Sequence, residues 1–288
     1  MRTYLKILFA GITTLLLPSQ VFALTIYDLQ PRVEAASVTA KSVVVLNQTN
    51  GEVLYELGGG DVRTPASLVK LTTVLVALDV IPDWNATCTV GIADRVGGVQ
   101  ITKADQAITY TLNSMLRAVL IPSANDAATA LARCTGLSHA GFLARMQSKA
   151  MQLGATQTAF ADTSGISGAN KTTALDMAHI ANAAFSTEIV RSITRLSSYR
   201  LCSVQKQCQT LANTNQLLKD KDLTTIAGKT GTLDGAYNFA GSFRDVHGHY
   251  FVVVVLGGTT KDARFAEAKK LVSFASVRAD WSDQFVVR

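Results

Sequence analysis

Apolar and polar positions divide the chain into a strand-patterned stretch, a long helical middle and a second strand-patterned stretch. Residues 42–46 form a β-branched apolar run, Asn50-Gly51 follows, and Val53-Leu54-Tyr55 comes next. Two apolar runs around Asn-Gly predict a β-hairpin, because both turn residues tolerate positive φ. Gly58-Gly59-Gly60 ends it; nothing after this run matches a nucleotide motif, so it is a loop and not a phosphate cradle. Pro65 suits the first turn of a helix. Leu68, Leu71, Thr72, Leu75 and Leu78 then recur at helical spacing, apolar on most sides, which predicts a central helix. The same period returns over 110–120 until Pro122 stops it, then over 126–134 with Gly136 near its end, 142–153 and 175–185. Strand patterns reappear at 226–232, 239–243 and 250–256, the last two joined by a turn through 245–249, and a helix is predicted over 263–275. Strands, many helices, then strands and a helix predict an α+β fold. Its antiparallel sheet would be built from both chain ends and packed by helices.

The first residues have a different logic. Arg2 and Lys6 precede an apolar run over 7–17, too short to span a bilayer, and Pro18-Ser19 break it. Val21 and Ala23 place small side chains before a cut after Ala23. This order predicts a secretory signal over 1–23, with a buried N-terminal helix as the alternative. No Cys follows the run, so no lipoprotein anchor is expected there, and no other stretch reaches the length of a membrane span. Loss of Arg2 and Lys6 lowers the formal charge from +6 to +4. That mild surplus suits an acidic polymer or a membrane surface. Without a dense Lys/Arg block it does not indicate nucleic-acid binding. At 48% apolar and 17% charged residues the chain is not disordered. Its 288 residues fit one large domain or two modest ones; no repeat or linker divides it, so 24–288 is expected to be a single domain.

Cys88, Cys134, Cys202 and Cys208 follow a secretory signal, which suggests disulfides. Three pairings are possible and sequence does not choose among them. Cys202–Cys208, closing a short polar loop like a clipped hairpin, together with Cys88–Cys134, is the favoured set. Zinc would want CxxC-type spacing, which is absent; free buried thiols are the remaining alternative.

Three short motifs carry the candidate chemistry. Ser67-Leu68-Val69-Lys70 puts a hydroxyl and an amine on one helix face, where a partly neutral amine could take the serine proton. Burial or cationic neighbours could lower the amine's pKa enough. A second S-x-x-K, from Ser203 to Lys206, lies between Cys202 and Cys208 and is taken as accidental. Ser123-Ala124-Asn125, after Pro122, offers a hydroxyl to relay a proton and an amide to bind a substrate amide; alone, it fits a helix N-cap better. Lys229-Thr230-Gly231 ends a predicted strand. There the Lys could hold a carboxylate, the Gly could admit a ligand to the backbone, and the strand edge could pair with a peptide. A phosphate loop would need Gly at 223, which is Leu. The four histidines lack H-E-x-x-H spacing, and His247-Gly248-His249 is expected to be an exposed turn; neither a metal nor a cofactor is predicted.

The order S-x-x-K, S-x-N, K-T-G, with 56 and 106 residues between first members, resembles the serine penicillin-recognising enzymes. Over nearly all the mature chain it is similar to the low-molecular-mass penicillin-binding proteins, the D-alanyl-D-alanine carboxypeptidase and endopeptidase family. Asp162-Thr163-Ser164-Gly165, then Asn170, Thr172-Thr173-Ala174 and Asp176, and Asn213-Thr214-Asn215 extend the likeness. The resemblance implies a DD-peptidase/β-lactamase-like fold with a helical subdomain. It implies Ser67 as acyl-accepting nucleophile, Lys70 as its base and Ser123 as proton relay. Asn125 would bind the substrate backbone, Lys229 and Thr230 would hold a terminal carboxylate or tune the site, and the N–H groups of Ser67 and Thr232 would form an oxyanion hole. The implied ligands are peptidoglycan stem peptides, with β-lactams as inhibitors, in the periplasm or outside the cell and without a stable membrane anchor. A serine β-lactamase is the rival enzyme; Glu188, the one Glu between Asn125 and Lys229, has no suitable surroundings for a deacylating role. A catalytically silent wall-binding protein is the rival outside enzymes. The short stretch after Ala275 is more like the compact endopeptidase branch.

Overall fold

The computed structural model describes residues 37–103 and 106–285, with side chains to Ala279; the predicted signal segment lies outside the described residues. Five antiparallel strands form the main sheet in the order β2-β1-β9-β8-β7. These are β1 (Ser42–Asn47), β2 (Val53–Leu57), β7 (Thr224–Leu233), β8 (Ala236–Arg244) and β9 (Tyr250–Gly258). Residues from both sides of the helical middle therefore meet at β1 and β9, where Ser42 faces Leu256 and Val45 faces Val253.

The sheet is buried on both faces, and its sequence shows why. An exposed face would alternate apolar with polar residues; β9 instead runs Phe-Val-Val-Val-Val-Leu, all buried. Val44, Leu46, Val252 and Val254 pack with the helical layer, while Val43, Val45, Val253 and Val255 face α7 (Ala263–Phe285). On α7, Phe265, Ala268, Val272, Ala275 and Ala279 supply the stripe at helical period.

The helical layer comprises α1 (Val69–Val80), α2 (Leu112–Leu120), α3 (Asn125–Arg133), α4 (His139–Gln152), α5 (Ala174–Ser186) and α6 (Glu188–Thr194). Every residue of α1 from Val69 to Ala77 is buried, as its all-round apolar pattern requires. Two small hairpins complete the fold: β3 (Thr87–Val90) with β4 (Ile108–Thr111), and β5 (Ser198–Cys202) with β6 (Cys208–Ala212).

The structure departs from the sequence pattern in places. Tyr110 and Thr111 are strand, not the first residues of a helix. Tyr110 pairs with Cys88, and the Thr111 hydroxyl caps α2 by accepting from Ser114 N–H. The final helix continues ten residues past 275. The first hairpin uses a five-residue connection, with Gly51 at φ +78°.

Cys88 is bonded to Cys134 and Cys202 to Cys208. The first bond ties β3 to the residue after α3; the second joins register partners across β5 and β6. Their sequence separations are 46 and 6. Chain-entropy arguments then assign about 4 kcal/mol to the first and about 2 kcal/mol to the second. Urea unfolding of Cys88→Ala/Cys134→Ala should accordingly show the larger loss, and Cys202→Ala/Cys208→Ala the smaller one. The reverse order would contradict this assignment.

Candidate active site

Pro65, with φ −72°, leads into a 3-10 turn at Ala66–Leu68 that runs directly into α1. Ser67 sits on this turn and Lys70 in the first turn of α1, so the three-residue spacing brings Lys70 Nζ to 2.9 Å from Ser67 Oγ. Ala66 has φ +51°, a conformation that costs a residue with a Cβ roughly 1–3 kcal/mol. Two glycines hold the turn in place. A Cβ on Gly165 would lie 2.0 Å from the Ala66 carbonyl oxygen, and one on Gly231 would lie 2.7 Å from that of Pro65. The missing side chain of Gly231 makes room for the backbone that carries Ser67.

Lys70 is fully buried. Its Nζ also lies 2.6 Å from Asn125 Oδ1 and 2.5 Å from the Ser164 carbonyl. Burial lowers its pKa to about 7, against the opposing pull of the Asp162 and Asp126 carboxylates. A neutral amine has two hydrogens and one lone pair. The amide oxygen of Asn125 and the carbonyl of Ser164 have no proton to give, so they take the two hydrogens. The lone pair is left facing the Ser67 hydroxyl.

Asn125 opens α3, and its N–H donates to Val99 O while its Nδ2 donates to Gly97 O. Its amide is thus largely engaged within the protein. Asn125 nevertheless lines the cleft, where the sequence reading expects it to bind a substrate backbone. The next residue, Asp126, is buried and accepts from Ile101 N, Thr102 N and the Thr102 hydroxyl, fixing the loop over Asn125. Asp162 organises the opposite wall. Burial pushes its carboxyl up, but N–H donors from Ser167, Gly165 and Ser164 and the Asn170 amide together hold it below the usual range.

Ser123 is not a cap. It has φ +68°, Ala124 occupies the N-cap position, and Ser123 Oγ accepts from Lys229 Nζ at 2.6 Å. Lys229 also donates to the Thr230 carbonyl at 2.8 Å. Only 1% of Lys229 is exposed, so its amine faces Ser123 and not the open cleft. Burial, then the charges of Lys70 and Arg264, push its pKa well below the ordinary lysine value.

Ser67, Ser123, Asn125, Thr230, Thr232 and Arg264 line one cleft of about 420 Å³. β7 is the edge strand of the sheet, and Thr230 and Thr232 project from it into that cleft. The Thr230 hydroxyl donates to the Thr214 hydroxyl at 2.7 Å, which explains the second short segment of the sequence likeness. Arg264 was not legible as a site residue. From the first turns of α7 its NH1 donates to Gly231 O at 3.2 Å and Thr232 Oγ1 at 3.1 Å, and burial lowers its pKa to about 10. Only the packing of α7 against β8 and β9 brings it there, and no local pattern announces that. The second S-x-x-K lies in the β5–β6 turn, away from this cleft, and Glu188 is exposed on α6 and paired with Arg191. His247 and His249 lie in the β8–β9 turn, where their N–H groups donate to Asp245 Oδ1.

Gly165→Ala should cost at least about 2 kcal/mol in urea unfolding, because the new Cβ displaces the turn. Gly168→Ala, with open space around its would-be Cβ, should change stability by no more than about 0.5 kcal/mol. Equal effects at the two positions would contradict the steric argument.

Residues 30–260 match the D-alanyl-D-alanine carboxypeptidase family. The chain is 32% identical over 204 residues to the D-alanyl-D-alanine endopeptidase of Haemophilus influenzae, covering 69% of this chain and 68% of that one. It is 28% identical to a D-alanyl-D-alanine carboxypeptidase of Bacillus subtilis, over 82% of this chain and 62% of that one. For a D-alanyl-D-alanine carboxypeptidase of Escherichia coli the values are 30%, 88% and 65%. The aligned regions thus span a little under or over two thirds of these relatives. Among solved structures, the Streptomyces K15 DD-transpeptidase matches with a TM-score of 0.77 at 25% identity, over 83% of this chain and 98% of that one. The D-alanyl-D-alanine carboxypeptidase of Mycobacterium tuberculosis matches with a TM-score of 0.75 at 29% identity, over 82% and 90%. The matched residues 30–260 contain the sheet, the helical layer from α1 to α6 and all three motifs, and the chain belongs to the D-alanyl-D-alanine carboxypeptidase family, the low-molecular-mass penicillin-binding serine DD-peptidases.

Proposed function

We propose that the protein hydrolyses D-alanine-containing peptide bonds of peptidoglycan stem peptides through an acyl-enzyme on Ser67, and that β-lactams trap the same serine. The observation that carries this reading is the desolvated Lys70 amine, oriented by two acceptors so that its lone pair meets the Ser67 hydroxyl. Ser67 Oγ attacks the carbonyl carbon while its proton passes to Lys70 Nζ. The oxyanion that forms is held by the N–H groups of Ser67 and Thr232; losing one such donor typically costs roughly 10²–10³ in rate. Collapse breaks the C–N bond. The proton reaches the leaving amine through Ser123, whose oxygen is held by Lys229 and whose own hydrogen is free to face the cleft. Water then attacks the ester, with Lys70 again taking a proton, and Ser67 is restored.

Arg264 and the hydroxyls of Thr230 and Thr232 line the cleft and suit a substrate carboxylate. A β-lactamase of the Glu-dependent kind is disfavoured, since the Glu188 side chain is 76% exposed on α6. We assign residues 1–23 to a cleaved leader and 24–288 to one catalytic domain acting in the periplasm or outside the cell. Among the described residues no helix is long and apolar enough to cross a membrane.

Digestion of purified muropeptides tests the reaction. Wild type should release free D-alanine, as a carboxypeptidase, or convert cross-linked dimers to monomers, as an endopeptidase. Ser67→Ala should do neither and should not bind labelled penicillin covalently. Labelling that persists in Ser67→Ala would overturn the assignment.

Lys70 as base also sets a pH dependence. Its amine is protonated and inert below about 7 and neutral above it, so the acylation rate should rise with pH through about 7 and then level off. Lys70→Arg, which cannot deprotonate, should lower the rate by roughly 10²–10⁴-fold and remove that rise. A wild-type profile flat between pH 5 and 9 would contradict the role.

A further inference from the structure

A second cleft, of about 400 Å³, shares no lining residue with the first. Three cations from three separate segments line it: Lys41, before β1; Arg63, ahead of the Ser67 turn; and Lys171, ahead of α5. Each is held by its surroundings. The Lys41 stem lies flat over Gly257, whose would-be Cβ falls 3.0–3.1 Å from the Lys41 Cβ, Cγ and Cδ atoms. The Arg63 backbone pairs both ways with Thr172, at 2.7 and 2.9 Å, and the Lys171 backbone pairs both ways with Ala159, at 2.9 Å.

The fold engages these cations only in part. Lys41 Nζ makes no ion pair or hydrogen bond among the described residues. Arg63 spends Nε on Ser42 Oγ and NH2 on Asp61 Oδ2, which leaves NH1. Lys171 Nζ donates once, to the Gly168 carbonyl at 3.1 Å. One carboxylate, Asp234 in the β7–β8 turn, lies among the lining groups, so the lining carries a surplus of positive charge. Val62, 53% exposed, supplies an apolar wall. Water takes about 30 Å³ per molecule, so the space exceeds what a bare inorganic ion needs and admits an organic body.

We propose that this second cleft is an anion site that takes an organic ligand bearing carboxylate or phosphate groups. The cations bind the oxyanion and the Val62 side supports the carbon frame. Long-range attraction to such a ligand is screened by salt, so affinity falls as ionic strength rises.

Amide chemical shifts of the mature chain, titrated with glycerol phosphate, with glutarate and with neutral glycerol, test the site. Saturable shifts at Asp234–Ala236 and Gly257–Thr259 are expected with one or both anions and not with glycerol. Which anion responds identifies whether the natural ligand is phosphorylated or carboxylated. Lys41→Ala/Lys171→Ala should weaken binding at least tenfold, while Lys261→Ala, in the first cleft, should leave it unchanged. Shifts that never saturate, that glycerol reproduces, or that survive in Lys41→Ala/Lys171→Ala would overturn the proposal.

Discussion

Lys70 Nζ is closed off from solvent and surrounded by oxygen atoms of Ser67, Asn125 and Ser164 at 2.9, 2.6 and 2.5 Å. Water would solvate an ammonium there; the protein supplies three neutral oxygens instead, and the amine drifts toward its uncharged form. Each oxygen comes from a different part of the chain, so the lysine is useful only when all three parts are in register. Much of the local architecture can be traced to that requirement. Asp126 fastens the loop that receives the Asn125 amide, and Asp162 fastens the turn that presents the Ser164 carbonyl. Two carboxylates thereby act at a distance, as organisers of backbone, while also limiting how far the amine's pKa can fall.

The two lysines of the site are kept in distinct roles by what they face. Lys70 meets the Ser67 hydroxyl; Lys229 meets a second hydroxyl, on Ser123, whose own backbone is in the left-handed region. Strain at Ala66 and Ser123, each a non-glycine residue at positive φ, sits at the two hydroxyl-bearing turns, where rigid surroundings can hold it. Gly165 and Gly231 are part of those surroundings, since their backbones come too close to the Ser67 turn for any side chain.

The chemistry-bearing residues were legible because their motifs are short and each lies on one element. The strand at 250–256 was legible in its unbroken apolar run; its burial on both faces emerges only when α7 and the helical layer close over it. What sequence missed depends on partners far away in the chain. Tyr110 adjoins a helical period that runs through Leu112, Met115 and Leu116, yet pairing with β3 makes it strand. β3 and α6, at four and seven residues, are too short for a period to stand out. Gly231 lies against Pro65, a contact no local pattern encodes. Arg264 carries no motif, and only the docking of α7 on the sheet brings it to the cleft.

The pairing of β1 with β9 has a kinetic corollary. Its register partners Ser42 and Leu256 are more than two hundred residues apart. Bringing them together demands a large loop closure before any ladder bond rewards it, so assembly of the central sheet is slow and late. Until then Phe251–Leu256 is an uncharged, β-prone segment that invites self-association, and refolding at high concentration will compete with aggregation.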